Sequence, residues 1–320
     1  RFFLSVLLAS LFSSQLLAEI RYSPSEVFSK LEYANVLAEA LLKAEGKQTE
    51  NLPVSLETDA EPMHVYELHV TILYELMGYA LKMDHRPPPI PASQSIKYTP
   101  TDVYYLSELI TSKLRTIYSS RFGVVYLRPK HFSNKTPSEV YQKAYELFYR
   151  LSLLNGHSEI SPDTVFSQIQ RAKHDLQASL LILAKRLDKS DEKKKRQLVT
   201  AIYGLKPDAT KLSSKELNKT PNNALQKALA IRKTLNALRE NNKLEAIAIP
   251  DFSTYPQVRP VDVFLQTQFI IAELNLLKQA WNIHKTTNNA QTSNGNTPSD
   301  VYYEMQHIEY MLNRLFKVLG

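Results

Sequence analysis

A short phrase returns along this chain at a nearly fixed spacing, and that recurrence constrains the fold more than composition does. It reads SPSEVF from Ser23, TPTDVY from Thr99, TPSEVY from Thr136 and TPSDVY from Thr297. Aligned on its proline, the phrase has eight instances, at Pro24, Pro62, Pro100, Pro137, Pro162, Pro221, Pro260 and Pro298, separated by 38, 38, 37, 25, 59, 39 and 38 residues. The third position after proline is valine in every instance but one, where Ala224 replaces it. The fourth is Phe28, Tyr66, Tyr104, Tyr141, Phe166, Phe264 or Tyr302, with Leu225 the exception in the same instance. A period near 38 residues lies in the range of helical repeats, and internal duplication is its economical origin. The residue patterns of tetratricopeptide and ankyrin repeats are absent.

The phrase reads as a helix start. Proline is favoured at the first helical position, where its missing amide would have no intrahelical partner. Ser23, Thr99, Thr136, Ser161 and Thr297 stand where a side chain caps the free amides, and Glu26, Asp102, Glu139 and Asp300 stand where a carboxylate completes a capping box. Tyr22, Tyr98, Ile160 and Val258, just before the cap, are placed to staple onto the valine of the same helix. Apolar residues then recur 10, 14 and 17 positions after proline, as in Ile110, Leu114 and Ile117 or Ile270, Leu274 and Leu277. That stripe runs along one helix face and needs a partner.

The segments between these helices, such as DHRPPPIPASQSIKYTP and NNAQTSNGNTP, carry proline, asparagine and short β-branched pieces that favour extended or turning backbone. They suit parallel neighbours with extended returns as well as antiparallel ones. The expected fold is therefore all-α: a helical repeat protein of about eight capped helices, arranged as two related four-helix units in tandem. Residues 19–156 form the first unit and 157–320 the second. The long interval in the second unit holds KRLDKSDEKKKRQ, residues 185–197, which reads as a charged helix extension or an exposed turn.

Residues 1–18 have the layout of a secretory signal peptide, with an arginine, an apolar run from Phe2 to Phe12 and the small residue Ala18 before the first acid. The apolar run is short for a membrane span of about 20 residues, so no stable span is expected after cleavage. There is no cysteine, which removes disulfides, thiolate metal sites and cysteine nucleophiles. An exported, disulfide-free chain of this length suits a bacterial periplasm. Lysine and arginine number 39 against 32 aspartates and glutamates, a net charge of +7 that favours an anionic partner or surface. Export argues against nucleic acid.

The chain carries no nucleophile elbow, no zincin motif and no glycine-rich phosphate loop, having seven glycines in all. Glu61 with His64, and Glu304 with His307, have the Glu-x-x-His spacing found in carboxylate-bridged di-iron bundles. The two pairs fall at different positions relative to proline, so they read as ordinary hydrogen-bonding side chains, and no metal, cofactor or catalytic residue is expected. Aromatics recurring at helix starts are the more unusual feature. Tyr66, Tyr104, Tyr141 and Tyr302, with the basic run Lys193, Lys194, Lys195 and Arg196, are the candidate partner-binding residues, against a packing role for the rings. The expected function is an exported, non-catalytic scaffold or docking protein that contacts another envelope protein or itself. The alternative is a periplasmic module holding a small or lipidic ligand between helices.

Overall fold

In the computed structural model a helix starts at each of the eight prolines. The described residues are 21–49, 52, 54–123, 129–157, 160–204, 218–253, 257–288, 291 and 293–319; the expected signal peptide lies outside them. The helices are α1 (Pro24–Ala44), α2 (Pro62–Lys82), α3 (Pro100–Phe122), α4 (Pro137–Asn155), α5 (Pro162–Arg186), α6 (Glu192–Tyr203), α7 (Pro221–Asn241), α8 (Pro260–Ala280) and α9 (Pro298–Leu319). The chain is all-helical among these residues, with one isolated β-bridge, Ser93 to Thr287. No described helix is long and apolar enough to cross a membrane.

The ninth described helix, α6, comes from the basic insert. Instead of lengthening α5, the run breaks after Arg186, passes through a 3-10 turn (Lys189–Asp191) and begins a new helix at Glu192. Leu198, Ala201 and Ile202 anchor that helix against α5 and α9.

The caps act as the sequence implies. The backbone amides of Ser23, Thr99, Thr136 and Thr297 each donate to the carboxylate three residues on, at 2.7, 2.7, 2.9 and 2.7 Å. The tyrosines before the cap behave differently from the expected staple. Tyr22 stacks on Tyr104 of α3 at 3.5 Å between ring centroids, and Tyr98 stacks on Tyr66 of α2 at 3.8 Å. Lys135, in the same place before α4, lies over Phe28 of α1 at 4.7 Å, and Lys219, before α7, lies over Tyr302 of α9 at 4.9 Å. The residue before each of these caps thus covers the aromatic ring of a neighbouring helix. The clasp is lateral because the helix starts stand side by side.

Helix exits share a register too. Gly46, Asp84, Lys243 and Asn282 all have positive φ, and each stands 22 residues after its proline. The amides that follow, of Lys47, His85, Leu244 and Ile283, donate back to Leu42, Ala80, Arg239 and Lys278, the six-to-one bond of a Schellman motif.

Packing partners close two rings of four. α1 touches α3 and α4, and α2 touches the same two; α5 touches α8 and α9, and α7 touches the same two. Within each ring the helices are parallel. In the first, the prolines and valines of all four starts line one small dimple. In the second, Lys227 of α7 pairs with Glu309 of α9 at 2.6 Å and, further along both helices, Thr234 meets Asn313. Parallel order requires each chain return to run the full length of a helix. A helix of 21 residues is about 31 Å long, and the 17 residues from 45 to 61 exceed that reach when extended. The six residues 156–161 between α4 and α5 span about 20 Å at most, which forces α5 to start beside the end of α4.

The second ring therefore points opposite to the first, and α2 meets α8 antiparallel: His64 reaches Glu273, and Thr71 reaches Gln268. Both helices are buried on several faces, α2 continuously from Met63 to Leu73 and α8 continuously from Asp262 to Lys278.

Candidate functional site

Solvent meets the helix-start aromatics unevenly. Tyr141 is fully buried against Phe269 of α8, and Tyr66 is buried under Tyr98. Burial raises both phenols above their usual range. Neither offers a surface to a partner, so the docking role expected for Tyr66 and Tyr141 is corrected to packing. Tyr104 and Tyr302 are half-buried and keep an open edge.

Each of those two is followed by a second tyrosine in the edge-to-face arrangement. Tyr104 and Tyr105 stand 6.2 Å apart at 75°, and Tyr302 and Tyr303 stand 5.3 Å apart at 83°. A lysine of the neighbouring parallel helix lies over the first ring of each pair, Lys30 at 5.5 Å and Lys227 at 5.8 Å. Both lysines sit six residues after their own proline, and each is paired to an acid on the tyrosine's helix, Glu108 or Glu309. Lys30 is held above the usual lysine range: burial opposes its charge, and the hydrogen bond and charge of Glu108 outweigh that. Tyr105 is 58% exposed, and its sequence signal is weak because its position is aromatic in two of the eight instances only, here and at Tyr303. The two tyrosine sites lie at opposite ends of the molecule, since the rings point in opposite directions.

The basic run occupies the first turn and a half of α6. Lys193, Lys194 and Arg196 are exposed, and Lys195 is half-buried. Lys194 faces Asp191 at 3.6 Å and Arg196 faces Glu192 at 3.5 Å, both loose contacts in water.

The feature that sequence reading did not anticipate is a charged layer between the rings. Three acids from the first ring's side, Glu57, Glu61 and Glu67, meet three arginines of the second: Arg232 at 2.7 Å, Arg239 at 2.8 Å and Arg171 at 3.0 Å. The guanidiniums are almost wholly enclosed. Gln266 donates to Glu57 and Asn275 to Glu67, so the acids are bonded from more than one side. Deeper in the second ring, Lys278 pairs with Asp175, and the Thr287 hydroxyl joins Asp175 and Asn275. One sequence signal pointed here: Arg232 and Arg239 are seven residues apart on α7, each one position past an apolar stripe residue.

Glu61, His64 and Glu273 bring one ligand atom each to within 4.8 Å of one another, a geometry that merits testing as a metal centre. A guanidinium already holds that place. Arg239 Nη1 donates to both Glu273 oxygens at 3.0 and 2.8 Å, and Nη2 donates to Glu61 at 2.8 Å. The amide of Glu61 donates to His64 Nδ1 at 2.8 Å, so that nitrogen carries no proton and Nε2–H donates to Glu273 at 2.7 Å. Burial works against ionisation of Glu273, and His64 and Arg239 overcome it, leaving its carboxyl below the usual range. A divalent ion would have to expel Arg239 and break the cap of α2, so the residues suit a structural ion cluster. Glu304 and His307 are not brought together as ligands: Glu304 pairs with Lys173, and His307 meets the Ala201 carbonyl at 3.3 Å.

An open cleft of about 860 Å³ lies beside this cluster, between the starts of α2 and α3 and the ends of α7 and α8. Met63, Tyr98, Leu244 and Leu276 give it apolar walls, and Lys97 and Lys243 stand on its rim.

No family model matches the chain, and no curated protein or solved structure is detectably similar to it.

Proposed function

We propose that the chain is a non-catalytic docking scaffold of the bacterial envelope, built from two related four-helix units in tandem. Its partner is another envelope protein or a second copy of the chain. The observation that carries this reading is the pair of tyrosine sites, Tyr104–Tyr105 and Tyr302–Tyr303, each flanked by a lysine in the same register and set at opposite ends of the molecule. Partly exposed tyrosines supply broad contact area at small entropic cost, and two linked weak contacts gain avidity. The shared neighbour order of the rings and the shared exit register support the duplication. Export rests on the leader-like residues 1–18 and the absence of cysteine. The non-catalytic reading rests on the buried acids at the seam, which already face guanidiniums, an ammonium or amides.

The test is quantitative retention of the envelope partner by the purified chain, with Tyr105→Ser and Tyr303→Ser made singly and together. Each single change weakens retention and the double change abolishes it, with melting temperatures unaltered. Unchanged retention in the double variant, or a turnover that survives it, overturns the reading. The cleft beside the seam favours a second function, a binding module for a small amphiphilic ligand, which mass spectrometry of native-purified protein would detect.

A further inference from the structure

α6 belongs to neither ring, yet it does more than cover α5 and α9. Lys193, Arg196, Gln197 and Thr200 form one wall of a groove of about 550 Å³, and Tyr310 and Arg314 of α9 form the other, with Glu192 at the mouth. Of the four basic residues in the run, only Lys193 and Arg196 line the groove; spaced three apart, they share a helix face. The opposite wall is ordered, since the Arg314 guanidinium lies over the Tyr310 ring at 5.2 Å. Stacking holds the guanidinium plane and leaves its donor edge free for an oxyanion. Among the described residues no acid lies within ion-pairing distance of Lys193 or Arg314. Three cations thus line the groove against one carboxylate, and that carboxylate touches Arg196 alone.

We propose that this groove binds an extended acidic segment of a protein partner. The cations come from both sides of an open groove, Lys193 and Arg196 from α6 and Arg314 from α9, an arrangement that suits an extended segment laid along it. α6, with 12 residues, is about 18 Å long, and an extended peptide covers that distance in about five residues. Two carboxylates on such a segment would match the excess positive charge, with Arg314 and Arg196 able to take them through two parallel hydrogen bonds each. Gln197 and Thr200 supply neutral donors and acceptors for its backbone, and the Tyr310 ring adds an apolar contact on the opposite wall. The proposal extends the docking reading by naming a partner chemistry, but stands on different residues, since the groove lies two turns further along α9 than the tyrosine pair.

The probe is a fluorescein-labelled peptide of alternating glutamate and glycine, about six residues long, titrated by fluorescence anisotropy into the full chain at low salt. The glutamine analogue serves as the uncharged control. Lys193→Glu with Arg196→Glu, and separately Arg314→Gln, each weaken binding about tenfold or more, the scale of one lost charge-assisted contact. Arg314→Lys gives an intermediate loss, because it keeps the charge and loses the fork. Arg115→Glu with Lys233→Glu, a matched charge reversal on α3 and α7, leaves affinity within about twofold, the difference expected from screened long-range charge. Equal weakening by that control overturns the groove in favour of general attraction to a basic protein. Binding of phosphatidylglycerol vesicles or a sulfated oligosaccharide, without the peptide, overturns it in favour of those anions. Tyr105→Ser with Tyr303→Ser leaves peptide affinity unchanged, so the two readings fail separately.

Discussion

Arg239 concentrates the chemistry of the seam in a single side chain. It is buried, donates to two carboxylates from different rings, and is held above its ordinary pKa because those carboxylates outweigh the burial that opposes its charge. Removing one partner of a buried pair leaves the other charge stranded, at a cost of about 3–5 kcal/mol. Arg239→Ala is expected to lose that much stability in urea unfolding at pH 7, and Glu273→Gln in the same background recovers part of it. His69 makes a second prediction. Enclosed between α2 and α3, it bonds the Val65 carbonyl through Nδ1 and the Ser107 hydroxyl through Nε2, and burial pulls its pKa down to about 4. Between that value and the unfolded value near 6.5 the unfolded chain binds the extra proton, so stability is full above the unfolded pKa and falls as the solution is acidified. The slope approaches about 1.4 kcal/mol per pH unit in this window. His69→Leu flattens it, which unfolding curves at pH 7, 6 and 5 would register.

Helices begin and end here by devices of different legibility. The starts are written in side chains: Thr99 caps α3 and Asp102 returns the bond, so Thr99→Ala costs about 1 kcal/mol in a thermal melt. Leu114, with no exposure, tolerates far less, and Leu114→Asp leaves an unpaired charge in the first ring's core and unfolds it. The exits are written in backbone conformation. Lys243 adopts φ 60° beyond α7, a region that costs a side chain about 1 kcal/mol, and Lys243→Gly is expected to raise stability by roughly 0.5–1 kcal/mol in the same melts. Every proline-led start, the apolar stripe and the all-helical class could be read from residue identity, because caps and stripes are local. The lateral clasp of Tyr22 on Tyr104 could not, since the expected staple to the same helix uses the same residues. Parallel order within a ring is not written locally either, because the long connections fit both arrangements and only contacts between helices, such as the four starts around one dimple, fix it. The meeting of Glu57, Glu61 and Glu67 with three arginines more than a hundred residues away depends on which helices face each other, which no local pattern encodes.

At the scale of the molecule, α2 and α8 each serve two cores at once. A helix of one ring needs an apolar face toward its neighbours and a polar face toward water, but α8 is buried without interruption from Asp262 to Lys278. Its Gln266, Gln268, Glu273 and Asn275 are polar yet enclosed, because their partners come from the opposite ring or the chain around it. Severed from residues 19–156, the segment 157–320 would expose this face together with Arg171 and Arg232, deprived of Glu67 and Glu57, and Arg239, left with Glu273 alone. Phe264 and Phe269, stripped of Phe148 and Tyr141, beside two guanidiniums without their acids favour association over a stable monomer. The segment 157–320 produced alone is therefore expected to elute as dimers or larger species in size-exclusion chromatography with light scattering. Co-production with 19–156 returns a one-to-one complex, and Arg239→Ala weakens that complex by the loss of the Glu61 bonds. A monomeric 157–320 with a cooperative melt like that of the whole chain would show that the charged layer joins two finished bodies instead of completing them.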